Sequence, residues 1–215
     1  MSAILITGTD TNVGKTWVTC AIARALRARG RRVGVLKPVE TGVTDAPEDA
    51  ERLRLAAGDP APLDDVCPYR FRAPLAPAVA AELEGVRVDL DRLVALIARR
   101  RTTVDILLIE GAGGLLVPIV GQATFLDLAR RAGLPLLIVA ANRLGTVNHT
   151  ALTARVARTE GLSVIGFVLS QSAPVADESV VSNAATISDL TGLPCLGSLG
   201  HGASGPLDVT PFERG

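Results

Sequence analysis

The 215-residue sequence is short of the residues that build zinc and redox sites. It has three cysteines, Cys20, Cys67 and Cys195, which lie far apart and form no C-x-x-C pair, and its two histidines are His149 and His201. Zinc sites and Ser-His-Asp triads need such residues in defined clusters. The sequence therefore gives no support to either, and we interpret the cysteines as small buried hydrophobic residues.

Excess charge and long hydrophobic runs are also lacking. The 22 basic residues balance the 22 acidic ones, so we expect no general electrostatic attraction to nucleic acid or anionic membranes. The apolar runs stop well short of the roughly 18 residues that a membrane span needs. Met1 is not followed by a basic segment and a long apolar one, as a secretory signal would require. We expect a cytoplasmic protein.

Lysine is rare as well, because Lys15 and Lys37 are the only lysines among the 22 basic residues. Arginine serves as the cation elsewhere, so we expect these two positions to need the compact ammonium group rather than the planar guanidinium. Lys15 lies in a glycine-bearing loop, and Lys37 ends the next apolar run. The pattern predicts two lysines that converge on one anionic ligand.

Six apolar runs alternate with segments of helical periodicity. This alternation predicts an α/β fold with a mostly parallel central sheet and helices on both faces. We expect Trp17 to pack in the core and the three arginines at 99–101 to form a solvated helix end. The predicted strands are 3–7, 32–37, 104–110, 134–141, 162–170 and 193–199, and the predicted helices are 15–29, 48–57, 89–101, 124–132, 147–160 and 177–191.

Residues 38–88 interrupt the alternation. Their prolines at 60, 62, 68, 74 and 77 exclude long regular elements. Ligands of parallel sheets bind at the carboxyl ends of the strands. We therefore expect the 38–88 segment to cover that edge, within a single domain over residues 1–215.

The segment GTDTNVGKT, residues 8–16, predicts a phosphate-binding loop, because it follows an apolar run and opens a helical stretch. Lys15 would reach the β- and γ-phosphates, and the Thr16 hydroxyl would ligate Mg²⁺. Gly8 stands one residue earlier than the strict Gly-x4-Gly-Lys-[Ser/Thr] spacing requires, with Thr9 in its place. The alternative is a helix-capping turn that happens to contain Gly-Lys-Thr.

A carboxylate for the metal is predicted at Glu110, which ends the run VDILLIE and precedes a glycine cluster. A charge at the end of so apolar a strand suits a ligand of Mg²⁺. The alternative is a helix-capping or solvent-facing glutamate. Asp49 could approach from the 38–88 segment, although it would also suit the first turn of a helix.

Together these motifs resemble the dethiobiotin synthase family. GTDTNVGKT, KPVETG, EGAGGLLVP and LGTVNHT follow in the family's order from Ile4 to about Gly166, and the family shares the displaced first glycine. The resemblance implies a single-domain P-loop NTPase fold and a cytoplasmic, homodimeric, Mg²⁺-dependent ligase of biotin biosynthesis. The expected reaction is the triphosphate-driven carboxylation and ring closure of 7,8-diaminononanoate through a carbamate and a carbamic-phosphoric anhydride.

The resemblance also implies roles for the matching residues. Those implied in catalysis are Lys15, Lys37, Thr11 and Thr41, and those implied in metal binding are Thr16, Asp49 and Glu110. Those implied in nucleotide binding are Asp10, Thr11, Asn12, Val13, Gly14, Lys15, Thr16, Glu110, Gly113, Ser170 and Gln171. The substrate would meet Thr41 and, from the neighbouring subunit, Gly145, Thr146, Val147 and Asn148, where amides at a helix start suit a carboxylate.

The sequence departs from the family in two places. Asn12 stands where a glutamate is frequent, so any role of an acid there is absent or served otherwise. Ser170 and Gln171 replace a common Asn-Asp pair that reads adenine, and SLGHGASG follows LPCLG instead of the usual proline-containing base-binding segment. Because the chemistry uses only the phosphates, we expect that CTP or other triphosphates could replace ATP.

Rival functions share parts of the pattern. A partner-regulated P-loop ATPase of the chromosome-segregation or septum-positioning type usually carries a second lysine where Asp10 stands. An amidotransferase of the cobyrinic acid type normally adds a glutaminase domain, for which 215 residues leave no room. A plain nucleotide-binding module would leave Lys37, Glu110 and the 38–88 segment without a role.

Overall fold

The computed structural model describes residues 2–171, 177–200 and 205–213. The strands in these ranges are β1 (Ser2–Gly8), β2 (Val33–Leu36), β3 (Val39–Thr41), β4 (Tyr69–Phe71), β5 (Ile106–Gly114), β6 (Pro118–Val120), β7 (Ala123–Thr124), β8 (Leu136–Ala141), β9 (Val164–Ser170) and β10 (Cys195–Leu199). The helices are α1 (Lys15–Ala28), α2 (Glu48–Ala57), α3 (Leu63–Val66), α4 (Pro77–Leu83), α5 (Leu90–Arg100), α6 (Phe125–Ala132), α7 (Thr146–Thr159), α8 (Asn183–Thr191) and α9 (Thr210–Glu213).

The central sheet has six parallel strands in the described ranges, in the order β10-β9-β8-β1-β5-β2. These are the six strands predicted from the apolar runs. In the middle of the sheet Leu5 of β1 pairs with Ile109 of β5 and with Leu136 of β8. The predicted α/β fold with a mostly parallel sheet is confirmed, and the carboxyl ends of all six strands meet at one edge.

Both faces of the sheet are covered, which explains the continuous apolar runs. Successive residues of a strand point to opposite faces. Ile4 and Ile6 therefore pack in the cluster that contains the apolar side of α1 and α2. Ala3 and Leu5 pack in the opposite cluster, with α5 and α6.

Two sequence predictions of helical structure were wrong in part. Residues 177–191 do not form one helix, because a 3-10 turn at Glu178–Val181 precedes α8. Arg100 is buried and not solvated, because it follows Leu96 and Ile97 on the inner face of α5. Its guanidinium forms a buried ion pair with Asp59.

The 38–88 segment contains only short elements, of which α2, with 10 residues, is the longest. Its strands β3 and β4 pair in parallel as a separate two-stranded sheet. α2 packs beside α1 and β2. None of the helices in the described part of the chain has the length and apolarity that crossing a membrane requires.

Candidate active site

The loop of residues 8–16 joins β1 to α1 at the carboxyl edge of the sheet. Asn12 and Gly14 adopt left-handed backbone conformations with φ of 58° and 84°. A Cβ atom on Gly14 would lie 2.3 Å from Oγ of Ser170, and one on Gly8 would lie 2.7 Å from the carbonyl oxygen of Asp10. The displaced glycine is therefore required here, because the loop folds back over Gly8.

Lys15, the first residue of α1, turns its side chain back over the loop. Its Nζ donates to the carbonyl oxygen of Asp10 at 3.2 Å. Burial, followed by the nearby Lys37 ammonium, lowers the pKa of Lys15 to about 8. The nearby carboxylates do not offset the cost of burying this ammonium, so the site favours an anionic ligand.

Glu110 of β5 is completely buried. It points to the same face as Ile106 and Leu108, the face that α1 covers. Oε1 of Glu110 accepts a hydrogen bond from the Thr16 hydroxyl at 2.8 Å, and Oε2 accepts one from the Thr19 hydroxyl at 2.8 Å. The solvent-facing alternative for Glu110 is therefore wrong.

Lys37 follows β2 and joins two carboxylates. Its Nζ donates to Oε1 of Glu110 at 2.6 Å and to Oδ2 of Asp49 at 3.0 Å. Burial alone would lower the pKa of Lys37, but the charges of Glu110 and Asp49 outweigh it and raise that pKa above its usual range. Burial would likewise raise the pKa of Asp49, but the charge and hydrogen bond of Lys37 outweigh it and lower that pKa. The Lys37 ammonium and the Asp49 carboxylate are therefore both charged at neutral pH.

The donor set around Lys37 suits a hard cation. Thr16, Asp49 and Glu110 offer one hydroxyl and two carboxylates, which are oxygen ligands of the kind Mg²⁺ takes. No group of three or more His, Cys, Asp or Glu side chains in the described ranges could hold a metal. A magnesium ion here would therefore depend on phosphate oxygens and water for the rest of its ligands.

A cavity of about 940 Å³ opens above this cluster. Residues 74–77 of the 38–88 segment form part of its wall. The predicted site residues that line it are Thr11, Asn12, Gly14, Lys15, Thr16, Lys37, Thr41, Asp49 and Gly113. The two lysines of the chain thus face one cavity.

Trp17 also lines this cavity, and the prediction that it packs in the core was wrong. Its exposed fraction is 43%, whereas the next residue, Val18, is fully buried. The helical turn directs Val18 toward the sheet and leaves Trp17 at the cavity mouth.

Other predicted residues lie apart from the cavity. Asp10 is exposed, and Val13 is buried in the core cluster that contains the apolar side of α1. Ser170 is buried at the end of β9. The backbone N–H of Gln171 donates to the carbonyl oxygen of Leu199 at 2.8 Å. The four residues at the start of α7 do not line this cavity: Gly145, Thr146, Val147 and Asn148.

Of the histidines, His149 is exposed and His201 lies outside the described residues. Cys20 and Cys67 are buried as expected, and burial is the main cause that raises their thiol pKa values to about 11 and about 12. Cys195 is only half-buried. The cysteines are thus not arranged for thiolate chemistry.

Two residues in contact with the cluster were not among the sequence predictions. Thr19 stands three residues after Thr16 on α1, and this helical spacing could have identified it. Glu40 lies inside KPVETG and accepts backbone N–H groups from the start of α2, at Asp49 and Ala50. No spacing in the sequence indicates that contact.

The sequence matches a family model and proteins of known name over most of its length. A family model described as an AAA domain matches residues 2–203. The ATP-dependent dethiobiotin synthetase BioD of Anaeromyxobacter dehalogenans (strain 2CP-C) is 51% identical over 196 residues, which cover 89% of this chain and 86% of that protein. The protein of the same name from Bacillus thuringiensis (strain Al Hakam) is 43% identical over 201 residues, which cover 93% of this chain and 83% of that protein.

Among solved structures, chloroplast FtsY from Physcomitrella patens matches 99% of this chain at a TM-score of 0.55 and 20% identity. The signal recognition particle 54 kDa protein from Aeropyrum pernix, in complex with GDP, matches 99% at a TM-score of 0.56 and 18% identity. The chain spans 63% and 44% of the lengths of these two proteins. At such identities the likeness concerns the fold alone.

Proposed function

The chain belongs to the ATP-dependent dethiobiotin synthetase family, and from this premise we propose that it closes the ureido ring of dethiobiotin from 7,8-diaminononanoate, CO₂ and a nucleoside triphosphate. The observation that carries the proposal is the cluster of Lys37, Glu110 and Asp49 beside the phosphate-binding loop, in which Lys37 and Glu110 are buried. A carboxylation driven by phosphoryl transfer needs cationic groups of this kind where negative charge develops.

The proposed sequence has three steps. One substrate amine attacks CO₂ and, on losing a proton, becomes a carbamate. A carbamate oxygen then attacks the γ-phosphorus, and the nucleoside diphosphate leaves as the carbamic-phosphoric anhydride forms. The second amine attacks the anhydride carbonyl, loses a proton and expels phosphate, which closes the cyclic urea.

The residues lining the cavity fit distinct parts of this sequence. Lys15 would neutralise the β- and γ-phosphates, and Lys37 would stabilise charge shared between the carbamate and the transferring phosphoryl group. The hydroxyls of Thr11 and Thr41, which both line the cavity, would position phosphate and carbamate. Since Lys37 is buried and pairs with two carboxylates, its ammonium is held beside the cavity before the substrates bind.

Magnesium is proposed as the cofactor, with Thr16, Asp49 and Glu110 as its protein ligands. Charge neutralisation at the β- and γ-phosphate oxygens is the chemistry that the bound ion would supply. Thr16 and Lys37 both donate to Glu110 here, so we propose that these contacts rearrange when the ion binds.

We infer a relaxed selectivity for the nucleotide base. The Ser170 hydroxyl is buried beside Gly14 and has no hydrogen-bond partner among the described residues. Ser170 and Gln171 together offer donors and acceptors in a different arrangement from the Asn-Asp pair that they replace. We expect CTP and other triphosphates to compete with ATP, and a competition assay with strict ATP preference would reject this part of the proposal.

A homodimer is proposed because Gly145 and Asn148 do not reach the cavity of their own chain. Leu116 and Leu152 line an exposed groove beside the phosphate loop, and Leu144 is 80% exposed. Exposed apolar side chains of this kind mark interfaces. If the start of α7 completes the partner's site, mixing inactive Lys37→Met and Asn148→Ala proteins restores about a quarter of the activity, because half of the randomly formed dimers contain one intact site.

We further propose one functional domain in which the 38–88 segment covers the bound substrates, since residues 74–77 already form cavity wall. We propose a cytoplasmic location because the triphosphate that drives the reaction is found there. The experiment that tests the function is incubation with ¹³C-bicarbonate, ATP, Mg²⁺ and the diamine. A labelled cyclic urea, absent with Lys37→Met, supports the proposal, and its absence with the wild-type protein refutes it.

A further inference from the structure

Glu40 of β3 is a buried carboxylate to which the proposed reaction assigns no role. Its exposed fraction is 7%. Oε1 accepts the backbone N–H of Asp49 at 3.0 Å, and Oε2 accepts that of Ala50 at 3.0 Å. Both carboxylate oxygens are therefore directed at the first turn of α2.

The start of α2 has no capping side chain of its own. The residue before the helix is Pro47, which offers no side-chain cap, although the first N–H groups of a helix need partners from outside it. Glu40 supplies these partners from another element, and its negative charge suits the positive end of the helix. The position of the helix start is thus fixed to β3 by two charge-assisted hydrogen bonds.

This contact bears directly on the cluster around Lys37. Asp49, whose backbone N–H binds Glu40, is the same residue whose carboxylate lies 3.0 Å from Nζ of Lys37. Residues 42–46 between β3 and α2 form no helix or strand and are mostly exposed. Two backbone hydrogen bonds hold the β3 end of this loop. Glu40 is the side chain that ties the helix start, and with it Asp49, to β3.

We propose that Glu40 is a positioning residue, which holds the Asp49 carboxylate at the Lys37–Glu110 cluster through the N–H groups of Asp49 and Ala50. The inference rests on the proposed role of Asp49 as a ligand of the metal–nucleotide complex. Partners that orient a ligand change metal affinity by about 10- to 100-fold when they are removed. A residue that only capped the helix would change stability and leave the metal affinity of the folded protein unaltered.

The test measures Mn²⁺ binding by electron paramagnetic resonance in the presence of ADP, at a temperature where circular dichroism shows each protein folded. Because ADP is not turned over, the readout does not depend on the synthase reaction. We expect Glu40→Ala to weaken Mn²⁺ binding by about 10-fold, with Asp49→Asn weakened at least as much. Glu40→Gln keeps one acceptor oxygen and is expected to lose about threefold.

The matched control is Glu48→Ala, which removes an exposed acid from the same helical turn without touching Glu40. It should change Mn²⁺ affinity by less than about twofold, because exposed charges near a helix end contribute little. The proposal is overturned if Glu40→Ala and Glu40→Gln bind like the wild type, if Glu48→Ala weakens binding equally, or if Asp49→Asn has no effect. Product formation by the wild-type protein tests the synthase function separately.

Discussion

Nζ of Lys37 lies 2.6 Å from Oε1 of Glu110, and both side chains are buried. A carboxylate inside an apolar sheet carries a large desolvation cost that only paired donors offset. The pair joins the carboxyl end of β2 to the middle of β5, its neighbour in the sheet. The stability of the fold and the chemistry proposed for the site therefore depend on the same contact.

Replacement of Lys37 by methionine should leave Glu110 without its cation. We expect the free energy of unfolding to fall by about 3–5 kcal/mol without added metal, as when one partner of a buried ion pair is removed. Mg²⁺ with ADP should restore part of this loss. Urea unfolding with and without Mg²⁺ and ADP measures both effects.

Arg52→Met is the control for Lys37→Met, because the Arg52–Glu48 pair lies on the exposed side of the same region. Its effect should remain below about 0.5 kcal/mol. A Lys37→Met protein as stable as the wild type would contradict the account of the buried cluster.

Thr19 should contribute through its hydrogen bond to Oε2 of Glu110. Thr19→Val has nearly the same shape but leaves that oxygen without its donor, so we expect unfolding to become easier by about 1–3 kcal/mol. Thr19→Ser retains the hydroxyl and should lose less. Equal stability of the valine and serine variants in thermal unfolding would show that the hydrogen bond is unimportant.

Trp17, the single tryptophan of the chain, should report on the cavity that it lines. We expect its fluorescence emission to change when Mg²⁺ and a nucleotide are added. Trp17→Ala should destabilise the protein by less than about 1 kcal/mol, as at an exposed position, whereas loss of a core tryptophan costs about 3–5 kcal/mol. A destabilisation of about 3–5 kcal/mol, or fluorescence emission that does not change when the nucleotide is added, would contradict the exposed position.

The buried thiols should be inert in the folded protein. With the pKa of Cys20 raised to about 11, its thiol is protonated at pH 8 and only on the order of one molecule in a thousand carries the reactive thiolate. Cys67, at about 12, is protonated to a still greater extent. A thiol-specific disulfide reagent at pH 8 should label Cys195 first and reach all three cysteines only after unfolding. Rapid labelling of all three in the folded state would contradict this.

The long elements of the fold could be predicted because each leaves a pattern of several residues. The apolar run that ends in Glu110 is continuous, and the helix that begins at Lys15 has clear periodicity. β3 and β4 have only three residues each, which is too short for any period to appear. The course of the 38–88 segment therefore depends on tertiary contacts that its sequence does not reveal.

The residues of the candidate site likewise fall into those that the sequence indicates and those that it does not. Lys15, Lys37 and Glu110 were predicted because each has a distinctive place, in the loop or at the end of an apolar run. Glu40 was not predicted, because it contacts the start of α2 across a loop whose sequence has no periodicity. Trp17 was assigned to the core on residue type alone, and the first turn of α1 turns it outward.

The central claim is tested most directly by phosphate release from the purified protein with Mg²⁺ and bicarbonate, with and without 7,8-diaminononanoate, in parallel with ATP, CTP, GTP and UTP. We predict that release requires the diamine and equals the cyclic urea formed, with more than one nucleotide accepted. Triphosphate hydrolysis that is indifferent to the diamine would contradict the account and indicate a P-loop ATPase that acts as a switch.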